Sequence, residues 1–212
     1  MESGNYKIEV FAISDDVNIL NSNAASVCFK KLNSVINIVH ETREENGQTL
    51  SRISFDKVEF ATSYKLTILQ NGTVKNTYTN FVSLGNSIVF ELGQTNLIFD
   101  LSGDYVVEIT AMNNDEHMMQ SNKSSYSIKK LDKAVDVSVD YLENQTELNI
   151  HGQEAVDNYL ISINGGQWTN NLDISSLGFG VYDISIVCVG NGQSILNSDV
   201  FSGQFVIKER LS

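Results

Sequence analysis

Few side chains in this chain have types that invite chemistry, and their spacing is informative. His40, His117 and His151 are too few and too scattered along the sequence to form a recognisable metal or catalytic cluster. No nucleophile motif, glycine-rich phosphate loop or paired metal-ligand spacing accompanies them. The chain therefore reads as non-catalytic, with no cofactor and no catalytic residue assigned. Two acidic loops, Asp15-Asp16 and Asn114-Asp115-Glu116, offer oxygen ligands of the kind Ca²⁺ takes. The corresponding later loop, Gly190-Asn191-Gly192, lacks those carboxylates, so the loops are read as solvated turns and no metal is assigned. Trp168, the only tryptophan, follows Asn164-Gly165-Gly166 and precedes Asn170-Asn171. A flat apolar ring beside amides is what a sugar site uses, which makes Trp168 the one candidate ligand-binding residue; packing over a sheet is the plainer alternative. Cys28 and Cys188 are far apart and are expected to be small buried apolar residues.

Composition narrows the classes of function. The 212 residues carry 14 Lys and Arg against 26 Asp and Glu, a formal charge of −12, the wrong sign for phosphate backbones or anionic bilayers. From Asp132 onward three bases face eleven acids, so the later part is the more self-repelling. No apolar run approaches a membrane span, and Met1-Glu2-Ser3-Gly4 has neither the basic nor the apolar region of a signal peptide. Neither a nucleic-acid partner nor membrane insertion is expected.

The elements that must position these residues come in copies. Ser3–Leu32 aligns without a gap on Ser102–Leu131, with identities that include Gly4/Gly103, Tyr6/Tyr105, Ser22/Ser121, Asn23/Asn122 and Lys30-Lys31-Leu32/Lys129-Lys130-Leu131. A third copy starts at Gly180, where Gly4, Tyr6, Ile8 and Ile19-Leu20-Asn21-Ser22 recur as Gly180, Tyr182, Ile184 and Ile195-Leu196-Asn197-Ser198. Within each copy apolar residues alternate (Tyr6, Ile8, Val10, Ala12; Tyr105, Val107, Ile109, Ala111; Tyr182, Ile184, Ile186, Cys188), the period of a strand with one buried face. Second strands are expected at Val27–Phe29, Tyr126–Ile128 and Phe205–Ile207. Others are expected at Val35–Val39, Ile53–Phe55, Tyr64–Leu69, Lys75–Tyr78, Ile88–Glu91, Val135–Val139, Glu147–Ile150, Tyr159–Ile163 and Leu172–Ile174. Asn71-Gly72 and Asn164-Gly165-Gly166 supply the positive-φ residues of tight hairpins. Many short strands without helical periodicity predict an all-β chain of antiparallel β-sandwiches.

The run Phe60-Ala61-Thr62-Ser63-Tyr64-Lys65-Leu66-Thr67-Ile68, then Asn71-Gly72, then Leu101-Ser102-Gly103-Asp104-Tyr105-Val106-Val107-Glu108-Ile109-Thr110-Ala111 resembles fibronectin type III domains as they occur in arrays of bacterial surface proteins. The third segment is similar through Ala155-Val156-Asp157-Asn158-Tyr159, Asn164-Gly165 and Leu177 to Tyr182. The resemblance implies tandem immunoglobulin-like, fibronectin type III-like sandwiches. The expected segments are 1–32, the C-terminal hairpin of a truncated module, and two modules, 33–131 and 132–212. It also implies that Tyr105, Tyr182 and, by repeat, Tyr6 are structural, bonding back to the backbone at a sheet corner. The family's second-strand tryptophan is replaced by Phe55 and Ile150, its usual prolines are absent, and no Arg-Gly-Asp tripeptide is present. The function implied is that of non-catalytic spacer or interaction modules of a larger exported surface or secreted protein, extracellular or on the cell surface, with a protein or glycan as partner. The alternatives are a carbohydrate-binding or adhesin module and accessory domains of a secreted glycan-active enzyme. Met1–Leu32 lacks an opposing sheet, so it is expected to dock its apolar face on the next module or to be completed by another chain, with self-association through residues 1–32 and a native protein that extends beyond Met1.

Overall fold

Three Asn-Gly pairs fix where the chain reverses. Asn46 and Gly47 lie at φ 53° and 74°, Asn71 and Gly72 at 51° and 75°, and Asn164 and Gly165 at 50° and 71°. Two successive left-handed residues match the right-handed twist of the strands on either side. The computed structural model describes residues 1–152 and 158–209, so Ala155-Val156-Asp157 of the third-segment motif lie outside the described residues. Strand accounts for 54% of the chain and helix for 2%, which makes the protein nearly all-β.

In chain order, β1 (Gly4–Val10) and β2 (Ala25–Lys31) form an antiparallel hairpin, followed by β3 (Val39–Glu45), β4 (Gln48–Asp56), β5 (Ser63–Gln70), β6 (Thr73–Tyr78), β7 (Val82–Leu84) and β8 (Ser87–Gln94). A single helical turn, α1 (Thr95–Ile98), precedes β9 (Gly103–Met112), β10 (Met118–Met119) and β11 (Ser124–Lys130). Then come β12 (Asp136–Tyr141), β13 (Thr146–His151), β14 (Tyr159–Ile163), β15 (Gly180–Cys188), β16 (Ile195–Leu196) and β17 (Phe201–Ile207). The sheets are ordered β1-β2-β10, β3-β4-β8-β7, β16-β11-β9-β5-β6, β12-β13 and β14-β15-β17.

Two strand expectations differ from what forms. Residues 35–38 are irregular, with Asn37 at φ 55° and the Ile36 carbonyl accepting from Asp56 N, and the strand begins instead at Val39. Its sequence, Val-His-Glu-Thr-Arg-Glu-Glu, has no apolar alternation, which is why hydropathy missed it; the Asn46-Gly47 turn is the signal that marks it. Leu172–Ile174 makes only a bridge, Glu147 to Asp173, with Leu148 N donating to Leu172 O and Ile174 N to Thr146 O.

Contacts group the chain into two compact units. One comprises Met1–His40, Leu50–Gly93 and Val106–Tyr126; the other Glu41–Thr49, Gln94–Tyr105 and Ser127–Ser212. In the first, Phe55 on β4 meets Tyr64 on β5 edge to face at 5.2 Å and lies 6.1 Å from Phe90 on β8. Leu66, Ile68, Val107 and Ile109 complete this core with no exposed surface. In the second, Val137 and Leu148 bury against Ile161, Ile184, Ile186 and Phe205.

The β1-β2 hairpin does not meet the first of its two alternative expectations, docking on the next module. Its apolar face is not docked: Ile8 is 49% exposed, Val10 65% and Val27 46%. Cys28 is exposed for the same reason, while Cys188 is buried as expected. Among the described residues no second layer covers the hairpin, which is anchored only at its base, where Leu32 is buried. No described helix is long and apolar enough to cross a membrane.

Phe55→Ala is expected to lower unfolding stability by about 3–5 kcal/mol, the cost of a cavity between packed layers. Val10→Thr on the open hairpin should change it by less than about 0.5 kcal/mol. Urea unfolding of the two variants checks the contrast.

Candidate functional site

Each repeat copy carries the same two polar devices and a third joins successive copies; together they form the most specific construction among the described residues. The first is a tyrosine whose hydroxyl donates to the carbonyl four residues earlier: Tyr6 to Glu2 at 2.6 Å, Tyr105 to Leu101 at 2.7 Å and Tyr182 to Gly178 at 2.9 Å. The Tyr105 ring is fully buried and edge-on to Phe99 at 5.0 Å, whereas Tyr6 and Tyr182 are half-buried and stack on Phe29 and Phe205 at 5.3 Å. Burial is the main cause that pushes the Tyr105 phenol up, so it stays a neutral donor.

The second device is a serine clip. The hydroxyls of Ser22, Ser121 and Ser198 accept from the amides of Ala12, Ala111 and Cys188 at 2.8, 2.9 and 2.9 Å. They donate in turn to the carbonyls of Asn23, Asn122 and Asp199. A strand that would otherwise end in unpaired polar groups is thereby closed onto the loop that follows it.

The third device joins one copy to the next, and it occurs twice. In the first unit the end of β2 runs parallel to β10, with Lys30 N donating to His117 O at 2.8 Å and Leu32 N to Met119 O at 3.0 Å. In the second unit the end of β11 runs parallel to β16, with Lys129 N donating to Ser194 O at 2.8 Å and Leu131 N to Leu196 O at 3.2 Å. The lysine at each strand end is buried, Lys31 to 7% and Lys130 to 5% exposure. Lys31 Nζ donates to the Met1 carbonyl and, at 2.6 Å, to Asn122 Oδ1. Lys130 Nζ donates to the equivalent Asp100 carbonyl at 3.5 Å and to Asp199 Oδ1 at 2.7 Å. Each ammonium thus ties its own copy to the residue just after the serine clip of the next. At the first joint Lys30 also sits over the Phe60 ring, 3.6 Å from its centre.

The remaining candidates do not converge. His40 is buried with Nε2 3.1 Å from Ser51 Oγ; His151 is exposed and 2.8 Å from Ser138 Oγ; His117 is exposed beside Asp115. Among the described residues no three His, Cys, Asp or Glu side chains come together as a metal site would require. In the acidic loops Asp16 Oδ1 accepts from Asn18 N and Asp115 Oδ1 from His117 N, so each carboxylate caps its own turn. Trp168 is 47% exposed, next to the Thr169 bridge to Ile161. Burial is also the main cause that pushes the Cys188 thiol up, leaving it unreactive. A cleft of about 440 Å³ in the second unit is lined by Thr42, Glu44, Thr49 and Asn96 and reaches the Lys130–Asp199 pair.

The identity of Lys-Lys-Leu and of the serine in aligned copies is visible in the sequence. Their pairing is not, because each contact joins residues of different copies. No protein-family model matches the chain, and a search of curated proteins returns no match.

Tyr105→Phe is expected to cost about 1 kcal/mol or somewhat more, since it removes the bond of the buried phenol to the Leu101 carbonyl, and Ser121→Ala about 1–3 kcal/mol, since it leaves the buried Ala111 amide without its partner. Asp199→Ala should destabilise more than Lys130→Met, because the first strands a buried ammonium while the second keeps the apolar stem. Denaturant titration of the four variants gives the ranking; a reversed order for the last pair would show that the ammonium is reached by water.

Proposed function

We propose that the chain consists of tandem fibronectin type III-like, immunoglobulin-like sandwich modules that act as a non-catalytic spacer and interaction element of a larger exported surface or secreted protein. The observation that carries this reading is the joint that occurs twice with the same parts: a parallel strand end, a buried lysine and the residue after the serine clip. A joint of this kind does positional work. Lys-Lys-Leu is not a loose tether in either instance, because its amides are hydrogen-bonded and its second lysine is desolvated and paired. The three tyrosine bonds to the carbonyl four residues earlier support the family resemblance. Two segment boundaries, after Leu32 and after Leu131, then fall at the ends of the joints. Exported surface location rests on the same resemblance.

A second reading, a carbohydrate-binding module, is favoured by one observation: the Trp168 ring is about half exposed among Asn170 and Asn171, which are also exposed.

Two measurements check these readings. Trypsin should leave the Lys30-Lys31 and Lys129-Lys130 sites uncut while it cleaves elsewhere; rapid cleavage at either pair would reduce the joints to flexible linkers. Tryptophan fluorescence is expected to be unchanged across a panel of polysaccharides, and a saturable shift would move the assignment to the carbohydrate reading.

A further inference from the structure

Both joints have a donor half, the Lys-Lys-Leu strand end, and an acceptor half, the two-residue strand and clip of the following copy. The first copy contains an acceptor half of its own. Its sequence, Ile19-Leu20-Asn21-Ser22, is identical to Ile195-Leu196-Asn197-Ser198, which already holds the end of β11. Its loop is built like the occupied ones. Ile19 N donates to Asp16 O at 3.0 Å as Met118 N does to Asp115 O at 2.9 Å; Ser14 N donates to Asn21 Oδ1 at 2.9 Å as Gly190 N does to Asn197 Oδ1 at 2.9 Å. The difference is the strand: among the described residues none pairs with residues 19 and 20, and Leu20 is 92% exposed where its counterpart Leu196 is 3% exposed.

We infer that Ile19–Asn23 is the acceptor half of a third joint, and that its occupant is the terminal strand of another sandwich module carrying lysine at the position of Lys31 and Lys130. The inference rests on the tandem-module reading. The occupant is fixed by the two filled instances. Its amides would donate to the carbonyls of Asn18 and Leu20, the counterparts of His117 and Met119, and its ammonium would reach the Asn23 side chain, the counterpart of Asn122 and Asp199. A second copy of this chain is a poor donor, since its two Lys-Lys-Leu ends are already engaged and the third copy has Ile207, buried in its own core, at the lysine position.

The test uses the full chain with a donor segment, Ser-Ser-Tyr-Ser-Ile-Lys-Lys-Leu-Asp, copied from residues 124–132 and joined ahead of Met1. A Gly/Ser linker of about twenty-five residues, with a root-mean-square span of roughly 28 Å, is long enough to pass β1. Amide hydrogen exchange should show the appended first lysine and the leucine slowed at least about tenfold relative to the free peptide. The change should be lost when the second appended lysine is methionine or when the chain carries Asn23→Leu. Exchange at free-peptide rates, or equal slowing with the methionine donor, would overturn the inference. So would displacement of β2 or β11 by the added strand. Resistance of the internal Lys-Lys sites to trypsin in the same protein separates the two levels. If the internal sites resist and the donor stays free, only the third joint is wrong; if they are cut, the module reading fails as well.

Discussion

A lysine ammonium can be taken out of water only where acceptors replace its hydration, and that constraint organises this protein. Lys31 and Lys130 are both more than nine-tenths buried, and each finds a backbone carbonyl in its own repeat copy and a side-chain oxygen in the next. Desolvating a charge is costly enough that a buried lysine has little freedom to move once its partners are set. The serine clip matters because it fixes the residue that follows it, and so places Asn122 and Asp199 where the lysines need them. The tyrosine bond matters in the same way, holding the chain that leads into β1, β9 and β15.

The contrast between copies shows what packing adds to this polar frame. Equivalent strand residues are Ile8, Val10 and Ala12 in the first copy and Val107, Ile109 and Ala111 in the second; the former are exposed and the latter have no exposed surface. The tyrosine bond and the serine clip are the same in both, although β1 is an edge strand paired with β2 alone and β9 runs between β11 and β5. Local bonding therefore sets the strand, while burial of its apolar face depends on a second layer that the β1-β2 hairpin does not have among the described residues.

Much of this was legible in the sequence. Period-two alternation located the strands of all three copies, and Asn71-Gly72 and Asn164-Gly165 form the turns their chemistry predicts. Three things were not legible. The polar strand Val39–Glu45 hides its single buried side chain, His40, among charges, so hydropathy cannot find it. The short strands Met118–Met119 and Ile195–Leu196 exist only because a distant strand end pairs with them, and the same segment in the first copy, Ile19-Leu20, is not a strand at all. The joint itself is invisible for the same reason: Lys31 meets Asn122, and Lys130 meets Asp199, across sequence distances no local pattern spans.

Native-state hydrogen exchange of the unmodified chain tests the joints most directly. The amides of Lys30, Leu32, Lys129 and Leu131 donate across them. These four are expected to exchange far more slowly than the amide of Leu20, which has no acceptor among the described residues, with protection approaching that of the core strands. Exchange of the four at rates typical of open loops would contradict it, and would leave Lys-Lys-Leu as ordinary linker.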